Sequence, residues 1–453
     1  MPLDESIRFF AATDVGRVRS HNEDNFLIDR RLGLFIVADG MGGHAAGEVA
    51  SAMAVRLVHE EVKKGRALIE AFASGEQGGT PPRRVLQLLE QSLQRASARI
   101  YETAQADRAK RGMGTTCSVL LMAGDTSFVA HAGDSRVYLI RQGKVQQLTE
   151  DHTLHNDLLK RGLFTPEQLE RVAQRNAITR ALGIFEQLDI DTQFVETQPG
   201  DVFLLCSDGL HGYFESPVDL IDPLAADDDS GVKQLIAMAN ERGGKDNITA
   251  IHVRVGSTGA EAEARARRQL HKRETLAKMR LFSRLTSREL RRVLEVAFLR
   301  VCKPGEAVMT EGESGDELFI VLAGQLRVQT GDSALSVLGP GEHVGEMALL
   351  RQSPRSATVI SDTTSEMLVV KRADFYELLR KEPELSVKLL WQLLGVLADR
   401  LDQTSRDLRS AREEGSSLEP VFGDENATGE RPTLPTIEID PTQFSGPPTQ
   451  RGT

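Results

Sequence analysis

The sequence predicts an α+β chain built as two folded parts in series. Three observations carry that expectation. Apolar runs of strand length that stop at Asp-Gly or Gly-Asp recur at Leu34–Gly40, Ala130–Asp134 and Val202–Gly209, in company with two long stretches of helical periodicity. From about residue 297 the pattern changes to short strands parted by glycine turns, at Lys303–Glu306, Glu311–Asp316, Leu322–Gly324 and Leu338–Gly341, which is the pattern of a small β-roll or barrel. The chain has 453 residues, too many for one ordinary core.

Composition sets bounds before any motif is read. Hydrophobic residues make up 40% and charged residues 27%, a globular balance. The net charge of −11 opposes a general nucleic-acid binder, which needs concentrated lysine and arginine against phosphate. Cys117, Cys206 and Cys302 lie far apart and are odd in number, neither a disulfide framework nor a zinc pattern. The opening Met-Pro-Leu-Asp-Glu-Ser has no basic region followed by an apolar one, so no signal peptide is expected. No apolar run approaches the roughly 20 residues that cross a bilayer. The expectation is a cytoplasmic protein that engages neither nucleic acid nor membrane.

Residues 7–39 read as three strands. Between the first two lies Gly16–Asn25, a polar loop containing Arg19, His21, Asn22, Glu23 and Asp24. The third strand stops at Asp39-Gly40, and further glycines at Gly42, Gly43 and Gly47 let backbone approach that carboxylate closely. Residues 45–64 and 82–109 carry helical spacing, the second with Val85, Leu86, Leu89, Leu93, Ala96 and Ile100 on one side; Ala73–Pro82 between them reads as a loop. Strands return at 115–123 and 126–132, and Gly133-Asp134-Ser135 interrupts a strand that then resumes. Residues 149–185 read as a polar flap in which Thr165-Pro-Glu-Gln168 opens a helix, with Asp151, His152 and His155 at its surface. A strand at Val202–Cys206 leads into Ser207-Asp208-Gly209. After a helix at 231–241, Gly243-Gly244-Lys245-Asp246-Asn247 enters the last strand.

Each acidic motif alone is an ordinary turn. Together they gather carboxylates at one edge of packed sheets, with Asp39 as the hub. Hard divalent cations such as magnesium and manganese take oxygen ligands, and the lack of a Cys or His cluster argues against zinc. One aspartate shared by two ions, with carboxylates on either side, makes a centre that lowers the pKa of a bridging water and clamps an in-line phosphoryl displacement. Arg19, four residues before Glu23, offers a fork to phosphate oxygens. A rival reading takes Gly40-Met-Gly42-Gly43-His44-Ala45 as a dinucleotide-binding turn. Asp39 and Glu48 would oppose a pyrophosphate there. The acidic residue expected about 20 positions on falls at Glu60 or Glu61, inside the expected helix.

These motifs, in this order, resemble the metal-dependent protein phosphatases of the type-2C family over about residues 7–255. The resemblance implies an α-β-β-α sandwich and a serine/threonine phosphoprotein phosphatase, a hydrolase of phosphoric monoesters with two manganese or magnesium ions and a weaker third. It implies Asp39 bridging both ions, the Gly40 carbonyl on the second, and Asp208 with Asp246 completing the first. Glu23 would hold the second ion with Asp24 beside it, and Asp134 with Asp208 would form the third site. Arg19 would bind the substrate phosphate and Asn247 would brace Asp246. His44 is a candidate general acid, although Met-Gly-Gly separates it from the Asp-Gly that some family members follow directly with histidine. The implied substrates are phosphoserine and phosphothreonine proteins, and the implied partners a Ser/Thr kinase or its substrates.

Residues 257–280 are charged and Ala-rich and read as a helical connector. Thr286-Ser-Arg-Glu289 is a capping box; after the short strands, helices are expected at 372–380 and 384–404. Within the roll, Gly345-Glu346 and Pro354-Arg355-Ser356-Ala357 place a carboxylate and an arginine nine residues apart, a pair able to hold a ribose hydroxyl and a phosphate; the plain alternative is a surface ion pair. Residues 281–400 look like a cyclic-nucleotide-binding domain. That likeness implies Glu346 on the ribose 2′-hydroxyl, Arg355 on the cyclic phosphate, Gly345 and Ser356 beside them, and cyclic AMP or cyclic GMP as an allosteric ligand. Val344 stands where phenylalanine is usual. The tail is polar and Pro/Thr-rich without apolar periodicity and is expected to be disordered. The expected organisation is a phosphatase domain at 1–256, a connector at 257–280, a nucleotide-binding domain at 281–404 and a tail at 405–453, working as a nucleotide-regulated signalling phosphatase. The alternative is a catalytically silent nucleotide-sensing scaffold.

Overall fold

The computed structural model describes residues 7–42, 46–74, 79–160, 177–214, 216–226, 228–256, 275–276, 279–331, 333–351 and 353–416. Most of the connector expected at 257–280, the helix expected from Thr165, and His44 lie outside the described residues. By contacts the chain divides into Met1–Leu394 and Gly395–Thr453. Of the second unit the described part is helical, up to Ser416.

Two antiparallel sheets form the middle of the N-terminal half. One has the order β1 (Ile7–Asp14), β11 (Ile248–Val255), β10 (Val202–Cys206), β7 (Arg136–Arg141) and β8 (Lys144–Gln147). The other runs β2 (Asp24–Asp29), β3 (Leu34–Met41), β5 (Cys117–Ala123), β6 (Thr126–Ala132) and β9 (Asp191–Glu196), with β4 (Gly114–Thr115) paired on β3. The continuous apolar runs are explained by burial on both faces. In β3, Phe35 and Val37 pack into the layer between the sheets beside Leu120, Leu139, Phe203 and Ile251. Leu34, Ile36 and Ala38 face the other way, toward helices α1 (Ala46–Lys64) and α3 (Pro82–Ala106). On the far face of the first sheet, Leu204, Cys206, Ile248 and Ala250 pack against Val232, Leu235 and Ala239 of α6 (Ser230–Glu241). The result is helices, sheet, sheet, helices, the sandwich expected above.

Local chemistry accounts for the helix ends. Pro82 occupies the first turn of α3, where a missing N–H costs nothing, and Val85, Leu89, Leu93, Ala96 and Ile100 line its buried side. The segment after α1 holds a helix that the pattern did not announce, α2 (Arg66–Ser74). Gly65 separates the two, and its carbonyl accepts from Leu68 and Ile69 to start the new turn. Short helices α4 (Leu154–Lys160) and α5 (Asp208–His211) lie between strands.

The second folded part opens with α7 (Ser287–Glu295), whose N-cap Thr286 and Glu289 form the expected capping box. Two four-stranded antiparallel sheets follow. Their orders are β12 (Ala297–Cys302), β19 (Ser365–Lys371), β14 (Glu317–Ala323), β17 (His343–Val344) and β13 (Ala307–Met309), β18 (Thr358–Ser361), β15 (Leu326–Thr330), β16 (Ser333–Leu338). Phe298, Phe319, Val321, Leu326, Val359, Met367 and Val369 fill the roll. Helix α8 (Met347–Leu350) sits within it, and α9 (Arg372–Lys381) and α10 (Pro383–Ser416) close the part. The last helix runs beyond the expected 404 to Ser416.

Candidate metal centre

The acidic motifs meet at one edge of the sandwich. Antiparallel pairing of β2 with β3 sets Asp24 directly opposite Asp39, where like charges repel. Asp39 is fixed through its backbone: its N–H donates to Thr116 Oγ1 at 2.9 Å, and its carbonyl accepts from the Thr116 N–H at 2.8 Å and Thr115 Oγ1 at 2.9 Å. Gly40 follows because nothing larger fits; a Cβ there would stand 2.2 Å from the Gly47 carbonyl oxygen. A Cβ on Gly47 would in turn stand 2.8 Å from the Glu23 carboxylate. This glycine crossing lets the first turn of α1 press onto the strand end, beside the Glu23 carboxylate.

Asp208 comes in from the opposite sheet, and Asp134 from the turn between β6 and β7 that joins the two sheets. Asp134 follows Gly133, whose φ of +116° suits glycine, and its carbonyl accepts from His211 Nε2 at 2.9 Å. Asp208 opens α5 after Ser207, and the Ser207 hydroxyl donates to Asp24 Oδ2 at 2.7 Å. Asp246 lies before β11, its Oδ2 taking a bond of 2.7 Å from Arg19 Nη2. Asn247 was expected to brace Asp246; its backbone N–H donates to Asp246 Oδ1 at 2.9 Å, while its side chain turns to the loop. Its side chain accepts from the Glu23 N–H at 2.8 Å and donates to the carbonyls of Val15 and His21 at 3.0 and 2.9 Å, so it ties down the whole loop carrying Arg19 and Glu23.

The electrostatics follow from this crowding. Burial, and then the neighbouring Asp24, Asp208 and Asp134, hold the Asp39 carboxyl well above its ordinary range. Burial pushes Asp24 up to about 7 against the bonds from Thr249 and Ser207. Asp134 likewise rises to about 7, by burial and then by Asp208. Burial and then Asp246 raise Asp208, and burial raises Glu23 against the pull of Arg19. The Oδ1 atoms of Asp24, Asp134 and Asp208 are buried without a hydrogen-bond partner. Among the described residues, no three His, Cys, Asp or Glu side chains are grouped closely enough to hold a cation as they stand; Asp24 bonds Ser207 and Asp246 bonds Arg19. The donor set still fits one: hard oxygen atoms, desolvated, repelling one another and short of partners.

Thr116 and His211 belong to this site and were not singled out from the sequence, and Ser207 was named only as the residue before Asp208-Gly209. Each acts on backbone or on a neighbour's side chain, which leaves no acidic or metal-ligating pattern to find. One expectation is corrected. Asp151 and His152 are not flap surface: Arg136 grips Asp151 through two bonds of 2.8 and 2.6 Å. His152 is buried, its Nδ1 accepting from the Gly133 N–H at 3.1 Å.

In the roll, Gly345 takes φ +86°, and a Cβ there would stand 2.8 Å from Arg355 Nη1. Arg355 is buried; it donates to the Glu317 carbonyl at 2.9 Å and to Glu317 Oε2 at 3.1 Å and stacks over Phe319. Glu346 is buried at the start of α8, while Ser356 is exposed. The carboxylate and arginine expected to hold a ribose and a phosphate are therefore both interior. They are not partners of each other among the ion pairs of the described residues; Arg355 pairs with Glu317.

Comparison with known proteins extends this picture. Residues 16–248 match the family Protein phosphatase 2C, and residues 299–382 match the Cyclic nucleotide-binding domain. The Serine/threonine phosphatase stp of Listeria innocua is 38% identical over 245 residues, covering 53% of this chain and 93% of that protein. Protein phosphatase PhpP of Streptococcus pneumoniae is 37% identical over 259 residues, covering 55% of this chain and 98% of its own. A solved structure of the S. agalactiae serine/threonine phosphatase is 34% identical, covering 55% of this chain and 99% of that one, with a TM-score of 0.49.

Proposed function

This chain belongs to the Protein phosphatase 2C family and is a protein serine/threonine phosphatase; from that premise we propose a centre for two divalent cations, manganese or magnesium, around Asp39. Asp39 would be shared, with Asp208 and Asp246 on one side and Glu23, Asp24 and the Gly40 carbonyl on the other; Asp134 with Asp208 would serve a weaker third position. The observation that carries this reading is the set of buried, unpartnered oxygens on Asp24, Asp134 and Asp208 that press on Asp39. A cation gives those oxygens a partner and removes their repulsion. When bound, such ions supply a nucleophile from water at neutral pH and offset the charge of the phosphoryl group in flight.

The chain's own residues orient and bind. Asp39 is held through three backbone bonds, so its carboxylate starts from a fixed origin. Arg19 is half exposed, and its guanidinium can offer a second N–H pair to phosphate oxygens while one nitrogen stays on Asp246. Asn247 keeps the Arg19 loop in register with Asp246. Substrates are phosphoserine and phosphothreonine proteins, a Ser/Thr kinase or its targets among them. Three free, buried cysteines suit a reducing, cytoplasmic setting.

The second half we read as a sensor for cyclic AMP or cyclic GMP, with Glu346 on the ribose, Arg355 on the cyclic phosphate and Gly345 and Ser356 beside them, in a domain of about 281–404 after a phosphatase domain of 1–256. Binding there would change the phosphatase rate. The test is manganese-dependent hydrolysis of an aryl phosphate by the full chain, with each cyclic nucleotide titrated and its binding measured in parallel. A rate change that follows occupancy supports the reading; proven binding with an unchanged rate removes the regulatory part and leaves the phosphatase.

A further inference from the structure

We infer that Thr116 is a positioning residue that fixes the distance between the two carboxylate-bearing segments, the end of β3 with Asp39 and the β6–β7 turn with Asp134. Thr116 and Ser135 are fully buried. The Thr116 hydroxyl accepts the Asp39 N–H at 2.9 Å and meets the Ser135 hydroxyl at 2.7 Å, so one oxygen joins Asp39 to the residue after Asp134. The Thr116 N–H closes a second bond to Asp39, onto its carbonyl at 2.8 Å. The other side of Thr116 is packed against Gly133, where a Cβ would stand 2.6 Å from Thr116 Cβ and Cγ2. Ser118 carries the tie further, its hydroxyl lying 3.1 Å from the Ser135 carbonyl and 2.9 Å from His131 Nδ1. Thr116 thus touches both segments through hydroxyl and methyl together, and no other residue named at the site does so. A divalent cation tolerates little error in carboxylate spacing, and groups that orient ligands change metal affinity by about 10- to 100-fold when removed.

The inference rests on Asp39 and Asp134 being cation ligands, and its test separates the two claims. Manganese(II) is titrated calorimetrically into the metal-stripped full chain, well below its melting temperature, for wild type, Thr116→Val, Thr116→Ser, Ser135→Ala and Asp39→Asn. Thr116→Val keeps the shape and loses the hydroxyl, so its affinity is expected to fall about 10- to 100-fold. Thr116→Ser keeps the hydroxyl and is expected to stay within about 3-fold of wild type, a rescue that general loosening of the core does not give. Ser135→Ala cuts only the link to the Asp134 segment and is expected to weaken binding about 10-fold; it decides the matter alone should Thr116→Val not fold. Wild-type affinity in Thr116→Val or in Ser135→Ala, or equal loss in Thr116→Ser and Thr116→Val, overturns the role of Thr116. Wild-type affinity in Asp39→Asn overturns the metal reading itself, whatever the threonine variants do.

Discussion

At the residue scale the division of labour is between groups that bear charge and groups that aim them. Arg19 bears charge toward solvent, half exposed and tethered by one bond to Asp246. Replacing it with alanine removes a grip made on bound substrate and on the phosphoryl group in transfer alike. Arg19→Ala should therefore raise KM for a phosphopeptide about 10-fold or more with a smaller change in kcat. Steady-state kinetics at saturating manganese checks this, and a fall in kcat at constant KM would assign Arg19 to the chemical step instead. The charged residues were legible in the sequence because Asp-Gly at strand ends and Arg19 in a ligand-rich loop leave a pattern. Thr116 and Ser207 were not, because a hydroxyl that bonds a neighbouring backbone has no spacing to announce it.

Elements carry the next level of constraint. The crossing of Gly40 and Gly47 is what brings α1 onto the end of β3 and against Glu23. Gly47→Ala, harmless to a helix on propensity alone, should destabilise the protein by about 1–3 kcal/mol through overpacking, read as a lowered denaturant midpoint at constant m-value. The sheets make a different prediction through His131 in β6. Burial, then the neighbouring His152, holds its pKa down to about 3, against about 6.5 for the free side chain. The unfolded chain therefore takes up a proton that the folded one refuses, so this residue's contribution is intact above about pH 6.5 and is lost as pH falls toward 3. His131→Asn should flatten the acid limb of stability across that window, and a difference between variant and wild type that does not change with pH would contradict it. Strand and long-helix positions were readable from apolar periodicity. Helix α2 was not, because Gly65 ends α1 and starts a new helix of only nine residues, too short for its periodicity to stand apart from the helix before it. His152 was misread as surface since Asp-His-Thr is polar by type, yet the Gly133 N–H and the Asp191 carboxylate partner its ring in the interior.

For the whole molecule, the two halves were separable in sequence because one is written in long two-sided strands and the other in short strands with glycine turns. The sites proposed in them differ in the same way. The residues proposed for the metal centre are as far apart as Arg19 and Asp246, whereas Gly345, Glu346 and Arg355, proposed for the nucleotide, lie within one short stretch. In that stretch the sequence gave no sign that Glu317 would be the partner of Arg355. Arg355→Ala leaves Glu317 without its buried cation and should abolish binding of a cyclic nucleotide, weakening it about 100-fold or more. Because the phosphatase centre is built from other residues, manganese-dependent hydrolysis without nucleotide should persist in that variant. Loss of both together would mean that the roll is needed for the phosphatase half to fold.

The central claim is that Asp39 and its neighbours hold the cations that drive phosphate removal. The most direct measurement is the rate of phosphate release from a phosphothreonine peptide as manganese is titrated into the chelator-stripped full chain, wild type beside Asp39→Asn. The account predicts that wild type is silent without metal and rises saturably with it, while Asp39→Asn stays at least about 1,000-fold slower at every concentration. A stripped wild type that still turns over, or an Asp39→Asn chain that responds to manganese as wild type does, would contradict it.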